Sequence, residues 1–165
     1  MTRFAKGYKR MSLRIYCAAP WVHKSVAREA REKLREAGFE VISRWIDLPD
    51  DTDTDDDDYK REQAEIDIED LFNADVLVLL NITKSEGKAC EVGMCIASGI
   101  PVICVGSRQN NVFLHLPEIF QVNDLDNAIE VLKTFETINE QLLRETAQQQ
   151  GFLEEPFIIS PQSDA

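Results

Sequence analysis

Val76-Leu-Val-Leu-Leu80 and Ser85-Glu-Gly-Lys-Ala-Cys-Glu-Val-Gly-Met-Cys-Ile-Ala-Ser-Gly-Ile-Pro-Val-Ile-Cys-Val-Gly106 decide the fold. The first run is continuously apolar, as expected of a central parallel strand buried on both faces. Residues 89–98 read as a short helix stopped by Gly99, and Pro101-Val-Ile-Cys-Val105 reads as the next strand. Working outward, 13–19 is a first strand ended by Pro20, and 25–37 has helical spacing (Val26, Ala30, Leu34) up to Gly38. Residues 39–46 alternate like a second strand, 61–74 are helical, 119–122 form a weaker fifth strand, and 125 to about 146 a last helix. Alternating strands and helices predict an α/β chain, a flavodoxin-like three-layer α/β/α sandwich around a central five-stranded parallel sheet. Ligands of such sheets sit at the carboxyl ends of the strands, which selects 16–21, 81–91 and 106–111.

At 165 residues and 44% hydrophobic the chain has one domain's worth of core. The expected organisation is an extension at 1–12, a domain at 13–146 with an Asp-rich loop at 47–60, and a tail at 147–165. The basic start leads into a short strand rather than a signal peptide's apolar run, and no stretch approaches the roughly 20 apolar residues of a membrane span. A cytoplasmic protein is expected. A net charge of −12 argues against a general nucleic-acid binder, while a locally positive site for a small anion stays possible. Cys17, Cys90, Cys95 and Cys104 form no CxxC pair and there are only two histidines, so no metal site is expected.

Glu91 is the only charged residue between Ala89 and Gly106. A carboxylate in apolar surroundings costs several kcal/mol or protonates, so packing alone is a poor reason for it. In a helix starting near 89 it falls in the first turn, where the dipole favours the ionised form. A partly desolvated carboxylate is what nucleophilic attack on a sugar carbon needs; the plain alternative is a cap or ion pair at a helix start. Asp67 shares a helical stripe with Ala64, Ile68 and Leu71, with Glu65, Glu69 and Asp70 off it, and an acid there wants a function or a partner such as Arg44. Tyr16 and Trp21 lie near the expected ligand rim, although on composition alone such residues are more often core or rim packing than site. His23 and His115 read as surface or cap residues. Residues 50–58 hold seven aspartates and imitate a calcium loop, but Asp56 stands where the sharp turn needs glycine, so a solvated loop is the better reading.

Ile15-Tyr-Cys-Ala-Ala-Pro-Trp21, Ser43-Arg-Trp-Ile46, Ala64-Glu-Ile-Asp-Ile-Glu-Asp-Leu71, Gly87-Lys-Ala-Cys-Glu-Val-Gly93 and Asn111-Val-Phe-Leu-His-Leu-Pro117 occur in this order. Together they resemble the nucleoside 2-deoxyribosyltransferase superfamily, which includes nucleotide N-glycosidases, over about residues 13–132. The resemblance implies Glu91 as nucleophile, Asp67 as the helix aspartate and Tyr16 as the tyrosine of the first strand. It implies substrate contacts from Ala18, Pro20, Trp21, Trp45, Ser85, Gly87 and Asn111, no metal or cofactor, and a homodimer or higher homo-oligomer joined through 110–116. Ser85 matches a serine that holds a 5′-phosphate in the nucleotide-hydrolysing branch, whereas Glu86 and the Asp-rich loop favour an unphosphorylated nucleoside. Ala18-Ala19-Pro20 departs from the glycine or serine common there. The expected reaction is transfer at the N-glycosidic bond through a glycosyl-Glu91 intermediate. Its rivals are a deoxynucleoside monophosphate N-glycosidase and a non-catalytic nucleotide-binding or sensing module.

Overall fold

Every residue of the strand Val76–Leu80 is buried, and the rest of the sheet is built outward from it. The computed structural model describes residues 12–50, 56–108 and 111–149. Their elements are β1 (Arg14–Ala18), α1 (Lys24–Glu36), β2 (Glu40–Val41), α2 (Asp57–Asn73), β3 (Val76–Leu80), α3 (Glu86–Ser98), β4 (Val102–Val105), β5 (Ile119–Val122) and α4 (Leu125–Gln149). Turns of 3-10 helix cover Trp21–His23, Arg44–Asp47 and Val112–His115. The strands form one sheet in the order β2-β1-β3-β4-β5, with every pairing parallel. This is the expected flavodoxin-like α/β topology. Right-handed crossovers put α1, which leads to the left of β1, on one face and α2 and α3 on the other. The chain reverses direction between β1 and β3, whose carboxyl ends therefore open a crevice.

The chain divides into two compact units, up to Leu132 and from Lys133 onward. The first holds the sheet. The described part of the second continues α4, where the Thr137 and Thr146 hydroxyls donate to the carbonyls of Lys133 and Leu142. The extension up to residue 11, residues 51–55 of the Asp-rich loop, Asn110 and the tail from 150 lie outside the described residues.

The structure differs from the expectation at three elements, each for a local reason. The second strand is two residues long, not eight, because the chain leaves the ladder after the Ile42 N–H donates to the Ile15 carbonyl. Side chains then replace the missing strand. The Ser43 hydroxyl accepts from the buried Cys17 N–H at 2.6 Å, and the Trp45 indole N–H donates to the Cys17 carbonyl at 2.9 Å. Helix α2 starts at Asp57 rather than 61: Asp56 caps it, accepting from the N–H groups of Asp58 and Tyr59, and Asp57 and Asp58 suit its positive end. Part of the supposed Asp-rich loop is thus a helix start. Helix α3 likewise starts at Glu86, capped by Ser85, and closes at Gly99, whose φ of +71° suits a residue without a Cβ.

Ser43 and Trp45 together satisfy both main-chain groups of Cys17, the residue after Tyr16. Ser43→Ala should leave a buried N–H without a partner and lower stability by about 1–3 kcal/mol, read from urea unfolding. An unchanged unfolding midpoint would contradict this role.

Candidate active site

Tyr16 lies on β1 with its side chain fully buried, and its hydroxyl donates to Oε1 of Glu91 on α3 at 2.8 Å. The sheet's switch point supplies the tyrosine and the following crossover helix supplies the acid. With α3 starting at Glu86, Glu91 falls in the second turn rather than the expected first. The dipole effect fades within the first turn, so it is not what ionises this carboxyl. Burial pushes the Glu91 carboxyl up to about 7, opposed by the Tyr16 hydrogen bond, reinforced by the negative charge of Asp67 and opposed again by Lys88. The Tyr16 phenol is pushed far up by burial and by Glu91, and stays a donor. Burial, with Glu91 nearby, also lifts the Cys17 and Cys95 thiols to about 12, which leaves both as small apolar side chains.

Asp67 lies on α2 toward the same pair. Burial and the neighbouring Asp70 push its carboxyl up to about 6, with Arg44 opposing. The inward stripe of α2 is rotated from the expected one. Asp70 and Leu71 are buried, while Ala64 and Ile68 are exposed. Arg44 accordingly pairs not with Asp67 but with Asp70, through its N–H at 2.9 Å and its guanidinium at 2.7 Å, and with Glu69 at 2.5 Å. Asp70 is thereby the structural acid of the helix, and Asp67 is left partly buried with its proton affinity raised.

Beside this group a cleft of about 660 Å³ opens between the start of α3 and the turn Val112–His115. Its wall includes Lys84, Ser85, Lys88, Asn111 and Phe113; Glu91, Tyr16 and Asp67 are not part of it. The hydrogen-bonded carboxylate group and this cleft are therefore adjacent rather than coincident. Ser85 accepts from the Lys88 N–H, and Asn111 accepts from the Phe113 N–H, so both are also caps. A Cβ on Gly87 would meet only Ser85 Oγ at 3.8 Å, so the chain's own packing does not require glycine there.

The aromatic rim stands at the carboxyl end of β1. Trp21 is 43% exposed, and its ring lies 6.3 Å from that of Trp45 at a 36° tilt. Lys24 sits 3.8 Å from the centroid of Trp21 and donates to the Leu48 and Pro49 carbonyls, fixing the ring from the protein side. Trp45 is buried with its N–H given to Cys17, so it supports the rim from beneath. Ala18 is fully buried, main chain included, and Pro20 is buried too, its carbonyl accepting from the His23 N–H, so neither of these expected contacts presents an exposed group at the rim. His115 is exposed, and His23 precedes α1.

Lys24, Ser43 and Lys88 are the supporting residues that reading the sequence passed over. Ser43 stood inside a quoted motif, and Lys88 stood one residue outside the apolar stretch around Glu91; each is found only when the partner it reaches is known. Among the described residues no group of three His, Cys, Asp or Glu side chains is arranged to hold a metal ion. No helix among them is long and apolar enough to cross a membrane.

No curated protein sequence matches the chain. A 2-deoxyribosyltransferase from Bacillus psychrosaccharolyticus shares 20% identity over 70% of this chain and 90% of its own, with a TM-score of 0.55. A conserved protein from Enterococcus faecalis V583 shares 20% identity over 75% of this chain and 99% of its own, with a TM-score of 0.55. A CMP N-glycosidase from Clostridium botulinum is 17% identical over 73% of this chain and 98% of its own, at a TM-score of 0.47. The first two similarities show the fold. The profile of the nucleoside 2-deoxyribosyltransferase family matches residues 15–150, which is most of the sequence. The chain belongs to the nucleoside 2-deoxyribosyltransferase family.

Proposed function

We propose that the protein cleaves the N-glycosidic bond of deoxynucleosides and passes the sugar to an acceptor through a glycosyl-Glu91 intermediate. The observation that carries this reading is the Tyr16 O–H to Glu91 Oε1 hydrogen bond of 2.8 Å inside a partly buried acidic group. It fixes one carboxylate oxygen and leaves the other to attack C1′. As the new C–O bond forms, the C1′–N bond breaks and its electron pair goes to the base, which takes a proton from Asp67. A second base, or water, then attacks C1′, gives its proton to Asp67 and breaks the C1′–O bond to return the Glu91 carboxylate, as in retaining glycosidases. Family membership supports the reaction class. A homo-oligomer fits the exposure of Val112 (74%) and Phe113 (61%) beside Asn111 at the cleft.

One observation favours a second reading, hydrolysis of deoxynucleoside 5′-monophosphates. Glu86 and the Asp-rich loop weigh against a dianion, but Lys84, Ser85 and the buried Lys88 all line the cleft by the start of α3. Chromatography of deoxyinosine with adenine, and separately of deoxynucleoside monophosphates, distinguishes the two. Base exchange marks the transferase and free base without exchange marks the hydrolase. Binding without turnover marks a sensing module and refutes both.

Glu91→Gln should keep the fold and lower kcat by on the order of 10³-fold or more. A carboxyl whose folded pKa lies above its unfolded value stabilises at low pH and loses that contribution as pH rises from about 4.5 to about 7. The melting temperature of Glu91→Gln relative to wild type should therefore be most favourable at pH 8 and fall back towards pH 5. Near-normal turnover would rule out the mechanism.

Because attack needs Glu91 ionised while departure of the base needs the pair's remaining proton on Asp67, kcat/KM should be bell-shaped, its acid limb set by the pair's first proton loss and its basic limb by the second. Asp67→Asn leaves Glu91 to titrate alone, so the basic limb should be lost as kcat falls. A basic limb that stays in place would separate Asp67 from Glu91.

Ser85→Ala should weaken a bound monophosphate by about 1–2 kcal/mol and leave the nucleoside unaffected, measured as apparent affinity for one such pair. An equal loss for both would reduce Ser85 to its capping role.

A further inference from the structure

Lys88 is 96% removed from solvent yet carries a charge, on a helix whose other buried side chains are Val92 and Cys95. An apolar residue would fill that place without desolvating an ammonium, so its cost calls for a reason. Its Nζ donates to Asn81 Oδ1 at 2.9 Å and to the Thr83 carbonyl at 2.6 Å. The Asn81 amide in turn donates to the Ser107 carbonyl at 2.5 Å. The end of β3, the first turn of α3 and the segment after β4 are thus tied through one ammonium. Lys88 and Glu91 stand three residues apart on α3, the spacing at which helical side chains are neighbours.

We propose that Lys88 is a positioning residue for Glu91, fixing the first turn of α3 to the sheet and holding a buried positive charge that keeps the Glu91 carboxyl ionisable. The groups around Glu91 otherwise work against its ionisation. Asp67 on α2 faces it, with Asp70 behind, and the Cys17 and Cys95 thiols from β1 and α3 are neutral. Arg44, the cation that acts on Asp67, is engaged by Asp70 and Glu69. Tyr16 gives one hydrogen bond, and Lys88 supplies the opposing charge. The coupling is reciprocal: burial pushes the Lys88 ammonium down, and Glu91 is among the groups that hold it up. The role rests on Glu91 being the acid that must ionise, which is the reading of function proposed above.

The test is a carboxyl 13C NMR titration of the full chain labelled at glutamate, with Glu91→Gln assigning the signal. In wild type the Glu91 midpoint should lie near 7. Lys88→Gln keeps donors for Asn81 and Thr83 while removing the charge, and the midpoint should rise by roughly one unit. Lys88→Arg should hold the wild-type midpoint. Lys88→Met, free of the desolvation cost, gives the same upward shift and keeps the measurement possible should Lys88→Gln not fold. The kcat/KM profile should move to higher pH with the NMR midpoint. An unmoved Glu91 midpoint in the charge-free variants overturns the proposal even where activity is present. A shifted midpoint in a chain without glycosyl transfer supports the coupling and rejects the function.

Discussion

The Tyr16 hydroxyl pointing at Glu91 Oε1 across 2.8 Å is the contact on which the rest of the site depends. A buried phenol with no partner would be costly, and a buried carboxylate with none would be costlier. Each solves the other's problem only if β1 and α3 keep their relative positions. Much of the molecule serves that requirement. Asp75 accepts from the Arg14 N–H at 2.8 Å and pins the start of β1 beside β3. Ser43 and Trp45 bind both main-chain groups of Cys17, and Lys88 ties α3 to the sheet.

The electrostatics follow from the same geometry. Two partly buried carboxyls, at about 7 for Glu91 and about 6 for Asp67, stand near one phenol. Like charges that are close raise each other's proton affinity, and such groups titrate as a pair. Near neutral pH the pair holds about one proton; the higher value places it first on Glu91, and the proposed reaction draws on the arrangement in which it sits on Asp67 and Glu91 is the anion. Asp70 could have joined the group as a third acid. Arg44 takes up its oxygens instead, so Asp70 acts on Asp67 only through its charge, and the two aspartates of α2 are left in different surroundings three residues apart.

Continuous apolar runs such as Val76–Leu80 made the parallel sheet legible in the sequence, because a strand buried on both faces has little choice of composition. Glu91 was legible for a related reason: a lone charge in an apolar segment contradicts its surroundings. The short second strand was not, since Ser43 and Trp45 replace ladder bonds with side chains, and nothing in residues 39–46 records which partner a side chain reaches. The stripe of α2 was read one position out of phase because Asp70 looks exposed by type and is buried only through Arg44. Glu91's place in the helix was misjudged because the capping residue is Ser85, before a run that begins with a glutamate and a glycine.

In the proposed reaction Glu91 becomes covalently bonded to the sugar. Intact-mass spectrometry of protein quenched in acid during turnover of a 2′-fluoro-substituted deoxynucleoside, followed by peptide mapping, tests it directly. A mass increase equal to one fluorodeoxyribosyl group is expected, mapped to the peptide holding Glu91 and missing in Glu91→Gln. Turnover of the same compound with no adduct, or an adduct on another residue, would contradict it.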